Sequence, residues 1–511
     1  MPDTLSNNKR IARNTMMLYI RMIASMLVSL YTSRIVLQVL GETDFGVYGV
    51  VGGVVAMFGF LNTSMAGATS RFLTYELGRG DKDRLSRTFS IAFFEHLAIA
   101  LLVLIICETF GVWFLNNKLV IPPERLPAAN WVLQLSILSM VISVTQVPYN
   151  SSIIAHEKMD VYAYVELANV FLRLGIVFLL KFILFDKLIL YAILSLSVSV
   201  IIAFTYRFYC VRRFQECRLH LVWDVPLLKS MLSFSGWDLY GNMSVMARTQ
   251  GVNMLVNLFF GPIANAAASI TTSVQGAVMG FANNVLTAVK PQIIKYYAQK
   301  EIDDMLRLVS NAVRFNSLIL MLLSVPLIVE MNYVIRIWLG EVPMYVIEFC
   351  ILTLLFNQFS NVSSVLVTGV HATGKIIRPS LINGTLYLLV VPFTYFAFKQ
   401  GAAAWMPYLF NLLAVILGML SNAYTLHLYI PQFSVRKFIF RDMLPCILAF
   451  VAAFAVCMLI RGVMAESFGR LLTVVFTSSA ILLGIGYFFL IPKQLSRRII
   501  DRISSFVHAK S

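Results

Sequence analysis

Three arginines stand inside stretches of sequence that are otherwise apolar: Arg21, Arg173 and Arg248. A guanidinium keeps its charge and presents planar, paired donors that match carboxylate or phosphate oxygens. A charge at the middle of a hydrocarbon layer costs roughly 2.5–3.5 kcal/mol on insertion scales, so each one retained there is a candidate for anion binding. Groups able to orient a ligand accompany them. Tyr162, Glu166, Asn169 and Arg173 recur at steps of three and four, which sets them on one helical face. Asp238, Asn242, Thr249, Asn253 and Asn257 also fall largely on one face, with Arg248 about 100° round from Thr249. Arg21 shares a face with Ser25, Ser29 and Thr32.

Arg21, Arg173, Arg248, Asn242 and Asn253 are therefore the expected contacts to an anionic substrate. Asp238 and Glu166 are the candidates for taking up H+ or Na+. Each has a structural alternative. Arg173 could pair with Glu166, Asp238 could pair with a cation, and an Asn and Thr stripe could be interhelical hydrogen bonding alone. Ser136, Ser139, Ser143, Gln146 and Asn150 form a further stripe, read as helix packing, with the hydrophilic wall of a channel or cavity as the alternative. His96 and His156 read as plain interfacial histidines. Arg34, within about two turns of the outer end of the first stretch, is placed to snorkel.

Other chemistries are missing from the pattern. Cys107, Cys210, Cys217, Cys350, Cys446 and Cys457 show no CxxC or Cys/His spacing, so neither a disulfide framework nor a metal site is expected. No GxxxxGK[ST] loop appears, nor a GxGxxG that opens a helix. No catalytic constellation, cofactor or nucleotide hydrolysis is expected. Any driving force must be an ion gradient, the membrane potential or the substrate's own gradient.

The elements that position these groups are long apolar helices. Of 511 residues 59% are hydrophobic and 13% charged, against about 25% charged in a soluble domain; the mean hydropathy is +0.79. About fourteen stretches are long enough to span a bilayer, from 14–39 and 46–66 through 161–183 and 232–260 to 471–491. The expected fold is an all-α polytopic membrane protein of 14 transmembrane helices. The roughly ten-residue alternating segments of a β-barrel are absent. The first stretch follows Lys9, Arg10 and Arg13, and no small-residue cleavage site follows it; it is expected to be retained as a helix.

The net charge of +16 is sorted by side, which argues against nucleic acid as its cause. With both termini cytoplasmic, roughly 29 Lys and Arg lie in cytoplasmic segments, roughly 8 outside and 4 within spans. Dense clusters are Arg71, Arg79, Lys82, Arg84 and Arg87, and Lys290, Lys295, Lys300, Arg307 and Arg314. Topology and anionic-lipid contact account for most of the excess.

An offset of about 220 residues lays Gly41 on Gly261, and Asp83, Arg87 and Ser90 on Asp303, Arg307 and Ser310, a periodicity common in transporters. Lys158 meets Lys375 at a slightly shorter offset. The expected organisation is an N-lobe of six spans over 1–210, a cytoplasmic connector over 211–231 with Trp223 and Pro226 at the interface, and a C-lobe of six spans over 232–428. Two further spans and a cytoplasmic tail occupy 429–511. Two pseudo-symmetric lobes of this kind usually enclose a path, used by alternating access. No loop exceeds roughly 25 residues, which leaves little room for the acid and base of a membrane glycosyltransferase or polymerase.

The segment from Arg34 to Tyr48 resembles the first-loop signature of the polysaccharide transporter family, the Wzx-type oligosaccharide flippases of the MOP/MATE-like superfamily. The matching residues are Arg34, Leu40, Gly41, Asp44, Phe45, Gly46 and Tyr48. The second-lobe copy departs from it, since Pro-Ile-Ala-Asn follows Gly261. The resemblance implies a non-enzymatic protein of the bacterial inner (cytoplasmic) membrane. It would move undecaprenyl-diphosphate-linked oligosaccharide repeat units for O-antigen, capsule or exopolysaccharide. Membrane lipids are expected partners, with polysaccharide polymerase and glycosyltransferases nearby. Lipid II flippases and cation-coupled multidrug exporters of the same superfamily remain alternatives, as does a polyprenyl-linked glycosyltransferase or polymerase. The signature assigns no role to Arg21, Arg173 or Arg248.

Overall fold

The computed structural model describes residues 14–487, apart from scattered positions between 27 and 58 and residues 118, 120, 181–184, 221 and 223. Arg34, Phe45 and Gly46 of the signature lie outside the described residues, as do Ser29, Trp223, the basic residues before position 14 and the tail after 487.

The described residues form helices and short connections, with no strand among them. Residues 14–26 are helical. There follow α1 (Gly59–Arg79), α2 (Lys82–Ile106), α3 (Leu126–Ala155), α4 (Met159–Leu179) and α5 (Lys187–Arg213), then α6 (Val225–Ala298) and α7 (Ile302–Val329). A short α8 (Met331–Leu339) precedes α9 (Val346–Thr373), α10 (Ile377–Lys399), α11 (Met406–Tyr429), α12 (Leu444–Val463) and α13 (Phe468–Ile485). Among the described residues ten helices are long and apolar enough to cross a membrane. These are the third to sixth and ninth to fourteenth of the expected spans. Expected spans seven and eight are the two parts of α6. They meet at Gly261, whose φ of 75° and ψ of −170° belong to a region that glycine alone enters readily. The chain thus passes from one span to the next through a single residue, where a short loop over 261–265 was expected.

Helix ends follow local chemistry. Asp81 accepts from the Arg84 amide at 3.0 Å and starts α2, and Asp186 accepts from the Leu188 and Ile189 amides to start α5. Each satisfies donors that the first helical turn leaves unpaired. Left-handed residues recur at the offset of the sequence repeat. Gly41 and Gly261 have φ of 78° and 75°, Gly80 and Lys300 have 74° and 64°, and Glu157 and Gly374 have 59° and 78°. Ser90 accepts from the His220 amide at 3.2 Å, and Ser310 donates to Asp442 at 2.7 Å. In both cases a serine of α2 or α7 holds the segment that leaves α5 or α11.

The chain divides into two compact units, Met1–Leu239 and Tyr240–Ser511. One core of the first unit gathers Phe89, Tyr149, Ile153 and Tyr206. Its other core gathers Val103, Leu133, Ile137 and Leu188. In the second unit Leu320, Phe349 and Leu354 form the main core, and Val325, Ala453, Cys457 and Val474 bind α12 and α13 to α7. All six cysteines are free and buried.

Candidate functional site

In the second unit, Ser244, Arg248 and Gly251 fall on one stripe of α6 that faces α10. A Cβ on Gly384 would stand 2.9 Å from Ser244 Oγ, and one on Gly251 would stand 2.9 Å from a methyl of Val391. Small residues thus bring the two helices together, and Arg248 is the large side chain between these approaches. Its guanidinium carbon lies 4.5 Å from the ring centre of Tyr387 on α10 and 5.2 Å from that of Phe356 on α9. The two rings attract the cation through their faces. Nε and Nη1 are closed to solvent and have no hydrogen-bond partner. Among the described residues no carboxylate pairs with Arg248. One turn before Tyr387, Asn383 donates to Asn422 at 3.1 Å, and Asn422 donates to Ser363 at 2.9 Å. The Asn383 carbonyl oxygen is left without a partner. The chemistry on offer is a fixed cation with unused donors beside polar amides, suited to an anionic oxygen group.

In the first unit, Arg21 donates to the Tyr162 hydroxyl at 3.3 Å and stands 5.1 Å from its ring centre. Its Nε is also closed off without a partner. Glu166 accepts from the Tyr206 hydroxyl at 3.0 Å. Arg173 is exposed and donates to Asn169 at 3.1 Å, so the alternative pairing of Arg173 with Glu166 does not form. Asn242 and Asp238 are half-buried and already engaged. Asn253 is half-buried, and its side chain makes no hydrogen bond among the described residues.

The signature residues have structural work. Arg125, just before α3, binds Asp44 through Nε at 2.7 Å and again through Nη2. Its Nη1 donates to Asp186 at 2.7 Å. Tyr48 packs edge-on against Tyr191 of α5, with ring centres 4.7 Å apart. Asp44 thereby ties its segment to the starts of α3 and α5. Asp44→Ala is expected to lower stability by roughly 1–3 kcal/mol, as for a hydrogen-bonded charged group. Arg125→Ala should match it, and the double variant should cost less than the sum. Thermal unfolding in detergent measures this; an unchanged midpoint together with lost activity would instead make Asp44 a substrate contact.

Several readings of the sequence change. His96 is fully buried within the protein, with Nδ1 2.7 Å from the Ala92 carbonyl oxygen. His156 stacks on Phe214 with ring centres 4.0 Å apart and bonds Glu216, so it fastens the connector to the end of α3. Arg314, grouped with the cytoplasmic cations, is buried and paired with Asp442. A second buried pair, Arg470 with Glu330 at 2.7 Å, joins α13 to the end of α7. The sequence held one signal for Arg314: it falls inside the apolar stretch of α7, and Asp442 is an acid just ahead of apolar α12.

A family model described as MatE matches residues 18–179, less than half of the chain. No curated protein sequence matches. Among solved structures, a crystal structure of a MATE point mutant is 14% identical, covers 83% of this chain and 97% of its own, and superposes with a TM-score of 0.73. An outward-facing multidrug resistance MATE family transporter of the MOP superfamily gives 14%, 83%, 97% and 0.71. A MOP superfamily transporter from Pyrococcus furiosus, described by a reversed polarity of its binding pocket that suggests a different function, gives 13%, 83%, 96% and 0.67. This chain has the fold of the MATE transporters, an all-α multi-pass membrane architecture.

Proposed function

We propose that this chain is a transporter of the MOP type, and that its cargo is an undecaprenyl-diphosphate-linked oligosaccharide carried across the bacterial inner membrane by alternating access. The observation that carries the reading is Arg248. A permanent cation with two shielded, unpartnered nitrogens and, among the described residues, no carboxylate partner suits a diphosphate and repels a cationic drug. Arg21, with its shielded Nε, and Arg173, Asn242 and Asn253 are the further proposed contacts. The likeness to a MOP transporter whose pocket has reversed polarity is compatible with an anionic cargo. Outward movement of two negative charges down an inside-negative potential gains roughly 4–5 kcal/mol per 100 mV, which supplies a driving force without nucleotide.

The second reading, a cation-coupled multidrug exporter, draws on the description of one structural neighbour. Proteoliposomes separate the two. Wild-type protein is expected to move a fluorescent polyprenyl-diphosphate oligosaccharide between leaflets, faster when the potential favours anion movement in that direction. Transport of a cationic dye with no movement of the diphosphate lipid would overturn the proposal.

A further inference from the structure

A buried acid of α2, held by the first turns of α6, is left unused by the headgroup contacts. Glu95 on α2 is 6% exposed, and among the described residues its carboxylate has one hydrogen-bond partner, the Ser235 hydroxyl at 3.3 Å. The same turns of α6 are packed on α1. Phe234 meets Phe72 edge-on with ring centres 5.8 Å apart. The Arg71 guanidinium lies over Phe72, Tyr75 and Phe234 at 4.7, 4.8 and 5.9 Å. Asp238 Oδ2 stands 3.4 Å from where a Cβ on Gly67 would be. The charged and titratable groups of the surrounding elements include Arg71, Tyr75 and Glu76 on α1, Tyr149 on α3, His220 in the connector, Lys229 and Asp238 on α6, and His96 on α2 itself. Among the described residues none of them forms an ion pair or hydrogen bond with Glu95.

An ionised carboxylate offers about four acceptor sites and a full charge. One hydroxyl cannot satisfy it, and an unpaired charge in a low-dielectric interior costs several kcal/mol. A carboxylic acid in the same place needs no counter-ion, and one serine hydroxyl serves it. The surroundings therefore fit the proton-bearing form. We infer that Glu95, held by Ser235, is a proton-binding site whose occupancy is tied to the seating of the first turns of α6 on α2. When those turns leave, water reaches the acid, the O–H bond breaks, and the proton goes to water while Glu95 remains as carboxylate. This inference rests on the transport reading for its use, since α6 is also the helix that carries Arg248.

Infrared difference spectra of the purified full chain, recorded between mildly acidic and alkaline pH, test the site without any cargo. The wild type is expected to show the carbonyl band of a protonated, buried carboxyl that disappears on alkalinisation. Glu95→Gln, which keeps the shape and the hydrogen bond, should lack that band, whereas Asp238→Asn should retain it. Identical spectra for wild type and Glu95→Gln overturn the proposal. In proteoliposomes, wild-type movement of the diphosphate lipid should respond to an imposed proton gradient and Glu95→Gln movement should not. A Glu95→Gln protein that still responds overturns the coupling. If the wild type moves no diphosphate lipid at all, the cargo reading fails, and the infrared titration still decides for Glu95.

Discussion

Replacing Arg248 by alanine is expected to abolish movement of the diphosphate-linked lipid while leaving the amount of folded protein in the membrane unchanged. The two halves of this expectation come from the same geometry. Among the described residues Arg248 makes no ion pair, and its Nε and Nη1 make no hydrogen bond, so its removal strands no described carboxylate or acceptor. What the fold loses is the contact with Tyr387 and Phe356, worth roughly 0.5–2 kcal/mol. Part of that loss is offset because a poorly solvated cation is gone. The cargo loses far more. Truncating one member of a buried, hydrogen-bonded charge pair costs roughly 2–5 kcal/mol, which is about 30-fold to several-thousand-fold in affinity. Arg248→Lys should fall between the two, since an ammonium keeps the charge and gives up the planar paired donors. Surface polysaccharide in complemented cells and protein content of the membrane fraction are the two measurements. Normal polysaccharide in Arg248→Ala cells would remove this residue from the mechanism.

The fold was largely readable because a bilayer imposes one solution: about twenty apolar residues per crossing, with every backbone group bonded inside its own helix. The spans of α2 to α5, α7 and α9 to α13 follow from that rule, whereas the short α8 does not. Gly41 and Gly261 were paired by sequence and share a left-handed backbone. Arg248 was legible as a lone charge in an apolar run. Its neighbours Phe356 and Tyr387 were not, because no local pattern ties them to a residue more than a hundred positions earlier. The same limit hid Arg125 with Asp44 and Arg314 with Asp442, whose partners lie 81 and 128 residues apart. Composition rules misread Arg314 because a cation near a helix end expected to be cytoplasmic satisfies the sidedness rule whether or not it is buried. Glu95 was passed over for a related reason. A single acid at the start of a span reads as interfacial until the helix that covers it, here the first turns of α6, is known.

Breaking the pair between Glu330 and Arg470 is expected to give one of the largest losses of stability of any single change in the second unit. Glu330 is 1% exposed and Arg470 is 6% exposed, so either partner left alone is a buried, uncompensated charge. Such a loss costs roughly 3–5 kcal/mol. The rest of the neighbourhood cannot take over. Arg470 Nη1 donates to the Met464 carbonyl at 3.2 Å, which satisfies a proton but no charge. Glu466 stands 3.7 Å away and is committed to Arg336 at 2.7 Å. Replacing both partners by methionine should cost much less than either single change, because the desolvation penalty of both ions disappears with their attraction. Cys457 reports the outcome locally, since its thiol lies 3.7 Å from the Val474 carbonyl on α13 and is closed off in the native fold. With the other cysteines replaced, a maleimide should label Cys457 slowly in the wild type and in the Glu330→Met/Arg470→Met double variant. Labelling should be fast in Glu330→Ala, where α13 loses its buried anchor on the end of α7. A protected thiol and an unchanged unfolding midpoint in Glu330→Ala would mean that the apolar contacts of Val325, Ala453 and Val474 hold α12 and α13 by themselves.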